Sequence, residues 1–450
     1  MPRCSGFDVT AEAAAVRAVI GLAGQYAAVD ENLTGTENLR LVGQLSHQPP
    51  AVVPARASDL LERFALTDAA NRPVRSYSGG MRRRLDLAAA LVHRPPVLYL
   101  DEPTTGLDPT GRSELWALVD ELVADGTTVL LTTQYLEEAD RHADQIVIVD
   151  RGKVIAEGTA AELKARLGRT IVEVRWPDPA GMTATTVTPA ISPPARPTAG
   201  WLVADALAVA KRNLIAMTRT PQVIVFTTIQ PVLFVLMFRY VFGGSIHIPG
   251  VRYVDYLICG VLVQTIAFGS QTTAVALAED LHRGLIERFR SLAMARSALL
   301  AGRALADACR YLLVIAVTIG VGFGVGFRLH PNPVALVAAG ALVLLFGLAM
   351  SWVMAVLALT SKSAEAATAA SFPLLALLVF PSNVFVATRY MPAPVREYAA
   401  DQPVSATASA VRSLLIGGPT TTHVLVAIAW SIGIVAVFAP VAVHRYRRTG

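Results

Sequence analysis

From residue 221 to residue 443 the sequence runs as a succession of long apolar stretches, and this pattern constrains the fold more than any other feature. Six stretches, at 221–242, 254–278, 311–328, 334–360, 366–387 and 423–443, approach the roughly 20 residues a helix needs to cross a bilayer. The stretch at 311–328 is short and glycine-rich. That at 366–387 contains Pro373 and Pro381, the mark of a kink or a broken helix. Ahead of them, Trp201–Thr220 reads as an amphipathic helix with Lys211, Arg212 and Arg219 toward its end, suited to a membrane surface. Backbone in hydrocarbon must satisfy its own hydrogen bonds, so residues 201–450 are expected to form an all-α polytopic membrane domain with about six transmembrane helices.

Charge divides the chain in the same place. Over 450 residues the net charge is +5, with 53% hydrophobic and 16% charged residues and a mean hydropathy of +0.48. These values exclude a disordered chain and argue against a single ordinary soluble domain. Residues 1–200 carry 20 Lys/Arg against 25 Asp/Glu, whereas residues 201–450 carry 19 against 9. The basic surplus therefore reads as membrane topology, with no nucleic-acid partner expected. With the N-terminal part inside and six alternating spans, 13 Lys/Arg of the second half fall on the cytoplasmic side and 6 outside. This predicts a multi-pass protein of the plasma or inner membrane, both termini cytoplasmic, with Arg389–Thr422 as a long external loop. Cys4, Cys259 and Cys309 are too scattered for a disulfide framework or a zinc site. Residues 1–20 hold no long apolar core, so no cleaved leader is expected there.

Residues 1–170 have the pattern of an α/β domain. Val97–Leu100, Thr127–Thr133 and Gln145–Val149 are short apolar strands, the last followed by the turn Asp150-Arg151-Gly152, with helical patterns such as Arg112–Ala124 between them. That alternation predicts a parallel sheet covered on both faces. Residues 171–200, with six prolines, read as a semi-extended linker.

The chemistry is concentrated in this first part. Ser78-Gly79-Gly80-Met81 precedes Arg82-Arg83-Arg84 and an apolar helical run. An apolar strand then ends in Asp101-Glu102-Pro103-Thr104-Thr105-Gly106-Leu107-Asp108. Ser78, Gly79 and Gly80 at a helix start offer backbone N–H groups and the positive end of the helix dipole to phosphate oxygens. A strand-end Asp101 can hold Mg²⁺, usually through water, and Glu102 beside it can orient or deprotonate a water. The triple arginine reads as a solvated or phosphate-facing helix side.

This constellation resembles the nucleotide-binding domain of ATP-binding cassette (ABC) transporters over about 20–164. Gly24-Gln25-Tyr26-Ala27-Ala28-Val29-Asp30 and Thr132-Thr133-Gln134-Tyr135 are similar to its daunorubicin-resistance branch. The resemblance implies an ABC cassette over 1–170, with Ser78, Gly79 and Gly80 as signature loop, Asp101 as Walker B aspartate, Glu102 as catalytic glutamate, Asp108 as D-loop aspartate and Gln25 in the Q-loop. Gln134 stands where most of the family has a switch histidine; glutamine donates a hydrogen bond but cannot shuttle a proton as imidazole does. ATP and Mg²⁺ are the implied cofactors. No Gly-x-x-x-x-Gly-Lys-Ser/Thr run occurs in the 450 residues. Gly6-Phe7-Asp8-Val9 resembles the family just after its phosphate loop, so the α/β fold is expected to be an incomplete P-loop NTPase cassette lacking its Walker A segment.

The second half resembles an ABC-2 type permease over about 201–445, with Glu287–Arg296 and Gly302-Arg303 fitting its cytoplasmic coupling segment. Together the two halves imply a subunit of an ATP-driven exporter of hydrophobic drugs, antibiotics or lipids. With one cassette and one permease, it needs a second subunit: another copy or a partner with an intact cassette. The rival is an ATP-incompetent truncated fusion serving only as permease or partner subunit. A soluble ABC ATPase acting in translation is excluded by the six apolar stretches. Gln230, Gln264 and Gln271 lie within those stretches, and interhelical hydrogen bonding is the simpler reading over a substrate path. Cys259 and Cys309 read as small apolar fillers, and His247, His330 and His423 suggest no role.

Overall fold

The structure is a computed structural model that describes residues 3–25, 27–166, 199–241, 251–295, 297–328 and 333–448. It forms two compact units, the first made by the described residues before the proline-rich stretch together with Arg290–Ala293, the second by the remaining described residues. The linker expected at 171–200 lies outside the described residues except for Ala199 and Gly200, and so does Tyr26.

The N-terminal unit opens with a short antiparallel pair, β1 (Arg3–Cys4) and β2 (Phe7–Asp8), followed by α1 (Ala13–Val19) and β3 (Ile20–Ala23). Three helices follow: α2 (Gly35–Leu45), α3 (Val53–Arg63) and α4 (Gly79–Ala90). Then come β4 (Val97–Asp101), α5 (Pro109–Ala124), β5 (Thr128–Thr132), α6 (Leu136–His142), β6 (Ile146–Asp150), β7 (Lys153–Gly158) and α7 (Ala160–Arg166). The order β3-β4-β5 makes a parallel sheet with β4 central, Val97 pairing with Ile20 on one side and Thr128 on the other. Leu39, Leu45, Leu60 and Leu85 from α2, α3 and α4, with Leu98 and Leu100 of β4, are fully buried. The start of α2 is fixed by a capping box, Thr34 accepting from the Glu37 N–H while Glu37 accepts from the Thr34 N–H.

The strand at 145–149, expected to join the parallel sheet, does not. β6 pairs antiparallel with β7. The cause is the turn between them: Arg151 and Gly152 have φ of 48° and 75°, and positive φ at both central residues is what a two-residue hairpin needs. Nor is the sheet covered on both faces, since Leu130 of β5 is 58% exposed; in the separate hairpin, Val147, Val149, Val154 and Ile155 are exposed as well.

The C-terminal unit is helical: α8 (Ala199–Thr218), α9 (Pro221–Leu236), α10 (Tyr253–Gly269), α11 (Gln271–His282), α12 (Leu285–Ser291), α13 (Ala298–Gly324), α14 (Pro333–Thr360), α15 (Ala364–Val379), α16 (Ala393–Ala400), α17 (Pro403–Leu415) and α18 (Thr420–Arg448). Among the described residues, four segments are long and apolar enough to cross a membrane: Tyr253–His282, Ala298–Gly324, Pro333–Thr360 and Thr420–Tyr446. Thr228–Val241 and Ala364–Val379 are apolar as well, the first continuing back to Pro221 in α9, so every expected stretch has its helix and Ala364–Val379 falls short of full span length. The stretch at 254–278 is divided at Ser270 into α10 and α11, and α13 begins 13 residues before the apolar run at 311. Pro373 does not break its helix; α15 runs through it and ends before Pro381.

α10 is buried on all sides, through Leu257, Ile258, Cys259, Val261, Leu262, Val263 and Ile266. α17, inside the expected external loop, packs against α10, α14 and α18, with Val404–Ala408 buried. Its run Ser405-Ala406-Thr407-Ala408 is small enough for neighbouring backbones to approach closely.

Candidate nucleotide site

β4 delivers Asp101 to an exposed strand end, and the next residue turns sharply, Glu102 taking φ of 45°. A left-handed non-glycine costs about 1–3 kcal/mol and persists only when surroundings hold it. Here the Glu102 N–H donates to both the carbonyl and Oγ1 of Thr132 on β5, at 3.1 Å each. Thr132 Oγ1 in turn donates to Asp101 Oδ1 at 2.5 Å, so β5 fixes the Asp101 carboxylate and the Glu102 backbone at once.

The glutamates and glutamines then converge. Gln134 Nε2 donates to Glu102 Oε1 at 2.6 Å, Thr105 Oγ1 to Oε2 at 3.2 Å, and Gln25 Nε2 reaches Oε2 at 3.5 Å, the outer limit of a hydrogen bond. Asp101, Glu102, Gln25 and Gln134 thus form one cluster at the carboxyl ends of β3, β4 and β5. Carboxylates at an exposed strand end are the ligand type that holds a water or a hydrated cation.

Ser78, Gly79, Gly80 and Asp108 form a second group. They line a cleft of about 690 Å³ together with Gly106, Leu107 and Arg84, and no residue of the first cluster lines it. Ser78 caps α4, its Oγ accepting from the Met81 N–H at 3.3 Å; Asp108 caps α5 through the Gly111 N–H at 3.1 Å. At Gly79 an added Cβ would meet nothing within 4 Å, and its φ is ordinary. Neither packing nor backbone geometry within this chain requires glycine there. The missing side chain leaves the helix N-terminus open to the cleft, which fits a phosphate group approaching the backbone.

Three residues that the sequence left unassigned hold this frame. Arg83 is 5% exposed. The reading of the triple arginine as a solvated or phosphate-facing side is corrected here: Arg82 pairs with Glu31 and Arg84 with Glu114, but Arg83 points inward. It donates to the carbonyls of Gly24, Asp101 and Pro103, the last two at 3.1 Å, and so ties the end of β3 to the end of β4. Burial pulls its guanidinium below the ordinary value, with Asp86 and Asp101 opposing. Spacing carried the signal, for Arg83 falls one and two turns before Leu87 and Ala90 on the buried face of α4. Glu138 of α6, also buried, accepts from Thr104 at 3.1 Å and Thr133 at 2.8 Å, joining the turns that carry Glu102 and Gln134. Thr132 is the third.

In the C-terminal unit, the expected coupling segment becomes α12, with Ile286, Arg288 and Phe289 buried; Arg296 lies outside the described residues. Arg303 turns inward. Arg212 of α8 makes a bidentate pair with Asp280 at 2.6 and 3.0 Å, and Arg303 reaches the same carboxylate at 3.1 Å. The glutamines expected to bond between helices do not do so uniformly: Gln264 Oε1 is buried without a hydrogen-bond partner among the described residues.

Comparison with known proteins agrees with both halves. The ABC transporter family model matches residues 3–105, and the ABC-2 type transporter model matches residues 205–416. The daunorubicin resistance ATP-binding protein DrrA3 of Streptomyces coeruleorubidus is 62% identical over 170 residues, 38% of this chain and 54% of that protein. The daunorubicin/doxorubicin resistance ATP-binding protein DrrA of Streptomyces peucetius is 54% identical over 176 residues, 39% of this chain and 53% of that protein. The Nod factor export ATP-binding protein I of Ralstonia nicotianae is 41% identical over 174 residues, 38% and 54% of the two chains. The chain spans about half the length of these curated relatives. With a cassette at its N-terminus and an ABC-2 membrane domain after it, the chain belongs to the ABC transporters.

Proposed function

We propose that this chain is a subunit of an ATP-driven exporter that moves hydrophobic drugs, antibiotics or lipids across the cell membrane. The observation that carries the reading is the convergence of Gln134, Thr105 and Gln25 on the carboxylate of Glu102, at a strand end beside Asp101. When bound, ATP with Mg²⁺ supplies the free energy of phosphoryl transfer. Asp101 would hold the cation through water, and Glu102 would orient or deprotonate the attacking water. Gln134 donates a hydrogen bond without carrying a proton. Ser78, Gly79, Gly80 and Asp108 face a separate cleft, which suits a nucleotide held by a second subunit, either another copy or a partner cassette. The basic bias of 13 to 6 supports both termini on the cytoplasmic side. The names of the relatives, daunorubicin resistance and Nod factor export, support a drug cargo and outward transport. The test is export: in a drug-sensitive bacterium, expression with a partner cassette should lower daunorubicin accumulation. The reading fails if neither daunorubicin nor a fluorescent lipid is exported and no ATP is hydrolysed.

A second reading, a permease or partner subunit that holds no ATP itself, is favoured by one observation. No Gly-x-x-x-x-Gly-Lys-Ser/Thr run lies within these 450 residues, so the loop that would grip phosphate beside Glu102 lies outside them. The 450-residue chain purified alone is expected to bind labelled ATP only weakly in equilibrium dialysis. Micromolar affinity would remove this second reading.

A further inference from the structure

The C-terminal unit has a cavity of about 350 Å³ at the amino-terminal end of α10, within the size range of small-molecule sites. Its walls are mixed. Val251, Ile416 and the ring of Tyr256 supply apolar surface, and the guanidinium groups of Arg389 and Arg412 supply charge.

Arg412 is built into the wall. Its guanidinium lies 3.5 Å from the centroid of the Tyr256 ring, a close cation–π contact. Nε donates to the Tyr256 carbonyl at 3.3 Å, Nη1 to Asn383 Oδ1 at 3.1 Å and Nη2 to the Val384 carbonyl at 2.9 Å. Asn383 is itself oriented, its amide nitrogen donating to Ser409 Oγ at 2.7 Å and the Ser405 carbonyl at 3.3 Å, which turns its oxygen to Arg412. Tyr256 is pinned by its hydroxyl on the Asn383 carbonyl at 2.7 Å. Gly260 completes the fit, because a side chain there would collide with the Val384 carbonyl and with Arg412 Nη2.

All three acceptors on Arg412 are neutral. A guanidinium has five N–H donors, so two remain. No carboxylate is paired with Arg412 or Arg389 among the described residues, and Asp255 on the same helix is taken by Arg252 at 2.8 Å. Arg389 sits exposed on the rim, over the Tyr390 ring at 4.9 Å. Two cations without a carboxylate partner among the described residues line one cavity, one of them half-buried and held by neutral acceptors, an arrangement that an anion completes.

We propose that this cavity binds an organic anion: a phosphate or carboxylate group gripped between Arg389 and Arg412, with its apolar body against Tyr256, Val251 and Ile416. Such a site discriminates against cationic amphipaths. It needs no nucleotide, so its test is independent of whether the chain exports.

The test uses the full chain in neutral maltoside micelles and isothermal titration with dodecyl phosphate, against dodecyltrimethylammonium as the same chain with opposite charge. Dodecyl phosphate should bind saturably and the cation at least about tenfold more weakly. Arg389→Gln, at an exposed position, should weaken dodecyl phosphate about tenfold with an unchanged melting temperature. Arg396→Gln, an exposed arginine of the same segment outside the cavity, should leave it unchanged. Equal binding of the two amphiphiles, or an Arg389→Gln variant that binds as the parent does, overturns the proposal. Competition by inorganic phosphate would identify a free anion as the occupant. Competition only by phosphatidylglycerol in nanodiscs would identify a lipid headgroup. Either supports the shared chemistry.

Discussion

A guanidinium that leaves water must recover its solvation from the protein, and Arg83 does so from three carbonyls at the ends of two strands. Removing it strands those carbonyls and takes away the guanidinium 3.6 Å from buried Asp86. Arg83→Ala should therefore destabilise the N-terminal unit by about 3 kcal/mol, seen as a lower denaturant midpoint and faster amide exchange along β4. Arg83→Lys, which keeps charge but reaches fewer carbonyls, should fall between; an unchanged midpoint in Arg83→Ala would show the clamp carries no stability. Tyr77 gives a pH signature in the same unit. Its buried hydroxyl donates to the Ala69 carbonyl at 2.6 Å, and burial raises its phenol above the ordinary value. The unfolded chain therefore ionises first. The contribution is intact below about pH 10 and is lost as pH rises through the folded value. Tyr77→Phe should cost about 1 kcal/mol at neutral pH and flatten the alkaline loss. A parallel loss in Tyr77→Phe would assign it to other groups.

Helix α17 shows why loop length in a membrane protein says little about exposure. Arg389–Thr422 lies between two apolar helices and reads as a connecting loop, yet α17 is buried among α10, α14 and α18 while α16 stays exposed. Small side chains make the difference, since Ser405, Ala406, Thr407 and Ala408 bury with little volume and the hydroxyls of Ser405 and Thr407 stay hydrogen-bonded. Cysteine introduced at Glu397 should label from outside intact cells with a membrane-impermeant maleimide, while cysteine at Thr407 should resist until the protein is denatured. Labelling at both would mean that α17 is not packed, and labelling at neither that the segment faces inward. The amphipathic α8 is held by comparable means. A Cβ on Gly302 of α13 would lie 2.6 Å from the Ala206 carbonyl and 2.7 Å from Val209 Cβ, so only glycine lets the two helices meet where Arg212, Asp280 and Arg303 pair.

For the whole molecule, the separation of the site into two groups makes a prediction that neither group makes alone. With an intact partner cassette present, Ser78→Arg should abolish stimulated ATP hydrolysis by placing a bulky cation where the partner's phosphate is capped. If the chain is the partner subunit that holds no ATP itself, Glu102→Gln should change it little, because Glu102 acts on nucleotide gripped from a phosphate loop that these residues do not contain. Turnover lost in Glu102→Gln alone would mean that such a loop is supplied beside it; no effect of either substitution would make this cassette a passive scaffold. Ser78, Gly79, Gly80, Asp101 and Glu102 could be named from sequence because each obeys a local rule, a serine before glycines at a helix start or paired acids after an apolar strand, whereas Gln25, Asp108 and Gln134 were named only through the family resemblance. Spacing also placed β4, β5 and the apolar helices. What it could not place were partners distant along the chain. Which carbonyls Arg83 meets on the buried side depends on α4 packing against β3. Whether the strand at 146–150 extends the sheet or folds into a hairpin depends on the backbone of two turn residues, Arg151 and Gly152. Whether Arg412 lies in a loop or in the wall of a cavity depends on Asn383 and Tyr256, 29 and 156 residues away. Local periodicity determines which face of an element is apolar. Tertiary structure decides which buried polar group finds which acceptor, because that choice is made only when the elements pack.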